Sequence, residues 1–213
     1  MTPIISVLLP TVRPNLVLGC VRSIAAASEG LPHEVIVVAD FDPDPSWALP
    51  TTVRWIQCPR RGPVEAVNVA YRSALGEYVF LLNDESILDP RALSHLYRAA
   101  IDTPDALLAP EHRPGYRFVY YDRPFVPFPF AHRDVFARLG GLLDLAYRAF
   151  YADPDLGLRA HVAGVPIRTV EGSVIRHHNG HDAAKQDNVT AYMAADQATF
   201  RARWDHLGEF RDC

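Results

Sequence analysis

The stretch FLLNDESILDP, Phe80 to Pro90, decides how this chain folds. It opens inside an apolar run, Tyr78 to Leu82, breaks at Asn83-Asp84-Glu85-Ser86, and reaches a proline placed to open a helix. A short continuous apolar run bounded by polar residues reads as a strand buried on both faces. The same rhythm of apolar strand, loop and amphipathic helix occurs three times upstream. Ile4 to Pro10 (IISVLLP) leads through TVRPN into a segment whose Leu16, Val17, Cys20, Val21 and Ile24 recur at helical spacing. Glu34 to Asp40 (EVIVVAD) is a second strand and Val53 to Gln57 (VRWIQ) a third. After PRRGP, the segment VEAVNVAYRSALG reads as a helix closed by Gly76, and Pro90 to Ala100 as the helix after the fourth strand.

Strands apolar on both faces, alternating with helices, predict an α/β fold with a mostly parallel central sheet and helices on both faces. In such sheets ligands sit beyond the carboxyl ends of the strands. Those ends are Thr11-Val12-Arg13, Asp40, Arg60-Arg61-Gly62 and Asn83-Asp84-Glu85, so polar groups converge where a site is expected. The second half differs. Residues 110–129 are rich in proline and aromatics, which suits short strands and a shaped surface. A helix near Arg133 to Leu139 ends at Gly140-Gly141, and Asp153 is placed to cap a helix opened by Pro154 and closed at Gly164. PIRTV and SVIRHH read as two strands, and the tail from Ala183 as helix.

With 213 residues, 49% of them hydrophobic, the chain predicts one compact domain over residues 1–213, with halves at 1–105 and 106–213. A net charge of -4 with both signs dispersed offers no basic stripe to announce a nucleic-acid binder. No apolar run approaches the roughly 20 residues a membrane-spanning helix needs, and MTPIISVLLP lacks the basic start of a signal peptide. A cytoplasmic protein is expected. Cys20, Cys58 and Cys213 are odd in number and far apart, which suggests neither a disulfide framework nor a thiolate zinc site.

Four constellations carry candidate chemistry. Asp84 and Glu85, beside the Asn83 amide, offer hard oxygen ligands for Mg or Mn shared with a phosphate; the alternative is a solvated turn capping the next helix. His177, His178, His181 and Asp182 could bind a divalent metal, or one histidine could supplement the acidic pair, or the segment is a polar loop. Asp153 and Asp155 offer a carboxylate that could act as general base on an incoming hydroxyl, the rival role of Asp153 being the helix cap. Arg13, Arg60 and Arg61 suit diphosphate oxygens, against a reading as surface charge. Neither a P-loop nor a GxGxxG follows the first strand.

In order and spacing these pieces resemble the family 2 glycosyltransferases of GT-A fold, from Ile4 to about His178. VLLPTVRP resembles the family's opening strand, VIVVADFDPD its second strand with a terminal aspartate, and RRGPVEAVN its N-x-G-x-x-x-A-x-N stretch. ALGEYVFLLNDESILDPRAL resembles the A-x-G-E-Y-x-x-x-L-D-x-D segment, the run from Gly140 to Ile167 its G-G-F-D-E and E-D-x-D-L-x-x-R motifs, and SVIRHH its late strand with a metal-joining histidine. The resemblance implies an inverting, metal-dependent transferase that moves one sugar from a nucleoside-diphosphate sugar, UDP-sugar favoured, to an acceptor hydroxyl on a glycan, small molecule or modified DNA base. It implies Asp153 as the base, and Pro10, Thr11, Arg13, Asp40, Arg61, Gly62, Asn68, Asn83 and Asp84 around the nucleotide sugar. Glu85, Asp84, His177 and His178 would hold Mn or Mg. Residues 1–105 would bind the donor and 106–213 the acceptor; the aromatic segment around Tyr116 to Phe130 would form part of the acceptor wall, or else ordinary core and edge packing. Asn83-Asp84-Glu85, Ala152 and Val67 depart from the family's usual aspartates, acidic neighbour and arginine. A non-catalytic nucleotide or glycan binding module and a sugar-phosphate nucleotidyltransferase are the rival classes.

Overall fold

The structure is a computed structural model that describes residues 2–113, 118–178, 180 and 182–210. Its first half has the predicted strands, with helices after all but the second: β1 (Ile5–Thr11), α1 (Pro14–Ala27), β2 (His33–Ala39), β3 (Val53–Gln57), α2 (Pro63–Ser73) and β4 (Tyr78–Leu81), only a short 3-10 turn at Pro45–Trp47 lying between β2 and β3. There follow β5 (Ser86–Leu88), α3 (Ala92–Asp102), β6 (Leu107–Arg113), the ribbon β7 (Val119–Tyr120) and β8 (Arg123–Pro124), and β9 (Phe130–His132). The chain continues through α4 (Arg133–Arg138), α5 (Ala152–Val162), β10 (Ile167–His177) and α6 (Ala183–Trp204).

Eight strands form one sheet in the order β3-β2-β1-β4-β9-β6-β10-β5. The first four are parallel, with Val7 beside Val35 on one side and Phe80 on the other. β9 runs antiparallel to β4 and β6, β10 is parallel to β6, and β5 is antiparallel to β10. Successive side chains on a strand point to opposite faces. Leu8, Ile36 and Leu81 therefore enter one core with α2, α4, α5 and α6, while Val7, Leu9, Val35 and Phe80 enter the other with α1 and α3. Two cores, one per face, are why these strands read as uniformly apolar.

Several local expectations need correction. β5 intervenes before α3, so the helix after β4 begins at Ala92 rather than at Pro90. α2 stops at Ser73, and Gly76 serves a close approach instead of a cap: a Cβ there would lie 2.7 Å from the Ser6 nitrogen. The two late strands are one strand, β10, whose register shifts between Val170 and Val174 around Gly172 at φ +79. Asp153 is not the cap of α5. That position belongs to Tyr151, in the left-handed region at φ 61, and Asp153 lies inside the first turn.

One buried carboxylate ties the second half together. Asp155, fully buried, accepts hydrogen bonds from Arg159 Nε (2.7 Å), Arg203 (2.8 Å), Trp204 Nε1 (2.9 Å) and the Tyr147 hydroxyl (3.1 Å). This joins α5 to the end of α6, and a charge that deep is tolerated because each oxygen is paired. Among the described residues no helix is long and apolar enough to cross a membrane.

Candidate functional site

The site is built on the carboxyl ends of β1, β2, β3 and β4. Thr11 closes β1, and its hydroxyl donates to Asp84 Oδ2 at 2.6 Å while accepting the Arg13 backbone N–H at 3.0 Å. That turn aims Arg13 across the strand ends. Its guanidinium meets Asp84 Oδ1 at 3.1 Å, Glu85 Oε1 at 3.0 Å and Asp182 Oδ2 at 2.5 Å. Burial pushes the Asp84 carboxyl up, with Thr11 and Arg13 pulling the other way. Burial raises Glu85 too, again opposed by Arg13. Asp182, hydrogen-bonded to Arg13, is held well below the usual carboxylate range.

Beside this cluster, Asn83 Nδ2 lies 2.8 Å from His177 Nε2. An amide NH2 only donates, so the ring nitrogen facing it accepts and carries no proton. Burial, with His112, Lys185 and His178 nearby, lowers the imidazole to about 4, so the ring is neutral at pH 7. Glu85 Oε2 is 3.7 Å from the same nitrogen.

Two clefts meet here. One, of about 670 Å³, is lined by Pro10, Thr11, Arg13, Asp40, Arg61, Gly62, Asn83 and Asp84. The other, broader at about 1800 Å³, is lined by Glu85, Asp153 and His177 with an aromatic wall that includes Phe118, Phe125, Phe128 and Phe150. Pro10, Arg13, Pro63, Asn83 and Asn188 line both, so the clefts are contiguous. Asp153 is half-buried, and desolvation pushes its carboxyl up to about 6. A carboxylate tuned toward neutrality in a cleft is suited to proton transfer.

Eight of the nine donor-site positions expected from the sequence are thus gathered in one cleft. Asn68 is the exception. It is buried in α2, where its amide donates to the Val64 and Leu143 carbonyls at 2.9 and 3.0 Å, and it lines neither cleft. The His178 side chain is exposed, and its contact with the acidic pair is a backbone bond to the Glu85 carbonyl. Tyr116 and His181 lie outside the described residues.

Sequence reasoning missed the wall supplied by α6. Asp182 caps that helix by accepting the Lys185 N–H at 2.9 Å, and Ala184 and Asn188 line the first cleft. Arg60 holds the same turn through the Ala184 carbonyl at 3.1 Å and Asp187 at 3.5 Å. An aspartate opening a long helical run was the available signal, but nothing local said where that helix would dock.

Among the described residues no three histidine, cysteine or acidic side chains are disposed to hold a metal by themselves. Mg and Mn sites commonly need only one or two carboxylates, the rest coming from phosphate and water. Asp84, Glu85 and Asp182 face the guanidinium of Arg13, with Lys185 near Glu85 and with Arg60 and Arg61 in the wall of the first cleft. The carboxylate oxygens of Asp84 and Glu85 are of the kind that would suit a divalent cation shared with a diphosphate. His177 Nε2 is engaged by Asn83.

Residues 6–147 match the family described as Glycosyl transferase family 2. The chain belongs to that family. Among solved structures, this family 2 chain resembles TarS of S. aureus, with a TM-score of 0.64 and 15% identity over 94% of this chain and 43% of that one. It also resembles the mannosyltransferase PcManGT from Pyrobaculum calidifontis, solved with GDP-Man and Mn2+, with a TM-score of 0.68 and 18% identity over 99% of this chain and 66% of that one. The family 2 chain therefore spans less than half of TarS and just under two thirds of PcManGT, and shares the GT-A fold with both. No curated protein matches it in sequence. Glycosyl transfer is the function that the family supports, and Asp153 lies just beyond the matched span.

Proposed function

We propose that this chain transfers one sugar, with inversion, from a nucleoside-diphosphate sugar to an acceptor hydroxyl, a UDP-sugar being the expected donor. The observation that carries the proposal is Asp153, its carboxyl raised to about 6, in the wall of a cleft contiguous with one lined by Arg13, Arg61 and Asp84. The nucleotide would lie in the first cleft with Asp40 beside it, and its diphosphate near Arg13, Arg60 and Arg61. The sugar would project into the second.

As the acceptor oxygen attacks the anomeric carbon, Asp153 takes its proton and the bond to the diphosphate oxygen breaks, its electron pair leaving with the nucleotide. Attack comes from the face opposite the leaving group, so no covalent enzyme intermediate forms. A divalent cation, Mn or Mg, held by Glu85 and Asp84 would supply positive charge to the departing diphosphate. The aromatic wall gives flat apolar surface for a sugar or base face. Acceptor candidates are a glycan, a small molecule or a modified nucleobase. The halves 1–105 and 106–213 contribute chiefly donor and acceptor contacts, although α6 lines both clefts.

The test is a thermal-shift series with UDP, GDP, CDP and dTDP, each with Mn and with chelator, because a ligand that binds the folded state raises its stability by mass action. Stabilisation by one diphosphate, greater with Mn, is expected, followed by transfer from the matching sugar nucleotide. Binding without turnover of any donor would favour a non-catalytic module. No shift with any of the four would overturn the reading.

A further inference from the structure

We infer that Asp196 is a positioning residue, whose buried carboxylate fixes the 148–150 segment and through it the place of Asp153 at the cleft. The inference rests on Asp153 being the base. Only three residues of α6 are buried, Asp196, Phe200 and Trp204, and they form one stripe with spacing of four. A hydrophobe would be expected at its first position, yet an aspartate only 2% exposed stands there.

Its oxygens accept the N–H groups of three consecutive residues. Oδ1 takes Arg148 at 3.0 Å, and Oδ2 takes Arg148 at 3.2 Å, Ala149 at 2.8 Å and Phe150 at 2.9 Å. Successive amides converging on one anion form a concave nest suited to a carboxylate; an asparagine there would lose the charge and turn an NH2 toward the Arg148 N–H that Oδ1 now accepts. The neighbouring Gln197 reinforces the grip by donating to the Tyr151 hydroxyl at 2.9 Å.

What is gripped matters. Tyr151 is the left-handed cap of α5, and Asp153 stands two residues later in its first turn. On its other side the same segment is pinned to the lip of the donor cleft: the Arg148 carbonyl accepts the Val64 N–H at 3.1 Å, and Gly62 approaches so closely that a Cβ would lie 2.4 Å from that carbonyl. The segment is a strut between α2, at the donor cleft, and α6. Asp196 sets its position, and so sets the distance from base to donor. Residue 196 lies outside the span matched to the family.

The experiment compares wild-type protein with Asp196→Asn, Asp153→Asn and the double variant, reading kcat, donor KM, diphosphate affinity by calorimetry and the pH profile of kcat/KM. A displaced base costs rate steeply, so Asp196→Asn should lower kcat about tenfold to a hundredfold while diphosphate affinity stays within about threefold. The acid limb should move from near pH 6, because the carboxyl sits in altered surroundings. Added to Asp153→Asn, Asp196→Asn should cost less than about threefold more, since a residue acting through another has little left to lose once that one is gone. Full multiplicative losses, or diphosphate affinity falling in step with kcat, would assign Asp196 a general structural role and overturn the inference. Should Asp196→Asn fail to fold, Gln197→Met loosens the same strut, and an unchanged kcat in it would overturn the inference too. Wild-type protein that binds no diphosphate overturns the transferase reading and this one together, whereas the other failures leave the transferase reading standing.

Discussion

Thr11 and Asp84, 73 residues apart in sequence, are joined by a 2.6 Å hydrogen bond between the ends of two adjacent parallel strands. The bond leaves Asp84 with Thr11 on one oxygen and Arg13 on the other. Thr11→Val keeps the shape and removes the donor, so it should cost about 1–3 kcal/mol as an unsatisfied buried acceptor. Urea unfolding of the two proteins measures this. Diphosphate affinity in the presence of Mn should fall as well.

Asp153→Asn should reduce kcat by roughly a hundredfold or more, the usual worth of a positioned general base, with nucleoside diphosphate binding preserved. The wild-type pH profile carries the companion expectation. As the proposed base, Asp153 would work ionised, so kcat/KM should be level above about pH 6 and fall as pH drops below it. A flat profile between pH 5 and 7, or a fully active Asp153→Asn, would remove Asp153 from that role.

Asp155 should act on stability. Asp155→Ala strands Trp204 and Tyr147 without their acceptor and leaves Arg159 only backbone carbonyls and Arg203 only Asp144, and breaking a buried ion pair typically costs about 3–5 kcal/mol. The denaturation midpoint should drop sharply. A midpoint within experimental scatter of the wild type would mean that α6 is held by other contacts.

Gly62→Ala tests the contact between the donor cleft and the 148–150 segment. Gly62 has φ +95, and a Cβ on it would stand 2.4 Å from the Arg148 carbonyl oxygen, so no side chain fits without displacing backbone. Diphosphate binding and kcat should both decline, since the substitution moves both the donor lip and the strut. Gly140→Ala, which meets nothing within 4 Å but has φ +81, controls for backbone strain alone and should leave diphosphate binding intact.

Glu85→Gln should remove chiefly the metal-dependent part of diphosphate binding. Calorimetry with Mn and with chelator separates the two parts. Equal weakening in both would assign Glu85 to holding Arg13, whose guanidinium it meets at 3.0 Å.

The amino-acid sequence by itself determined the first half of the fold and most of the lining of the first cleft. Apolar runs such as Ile4 to Pro10 and Tyr78 to Leu82 declare strands buried on both faces, and the carboxyl end of a parallel strand is a ligand position wherever it occurs, so Thr11, Arg13, Asp40, Gly62 and Asp84 were legible from local pattern and general topology. Tertiary structure alone decided the rest. Asn68 looks like a ligand-binding amide in sequence, but the Val64 and Leu143 carbonyls claim it. Asp153 looks like a helix cap, but Tyr151 takes the left-handed position before it. Asp182 and Ala184 reach the site, and Asp196 the 148–150 segment, only because of where α6 docks, and their partners Arg13, Arg60 and Arg148 lie 169, 124 and 48 residues away along the chain. Hydrophobic periodicity is a property of neighbours along the chain and states which face of an element is buried; it carries no information about which distant backbone amide or carboxylate will complete a polar group once that face is covered.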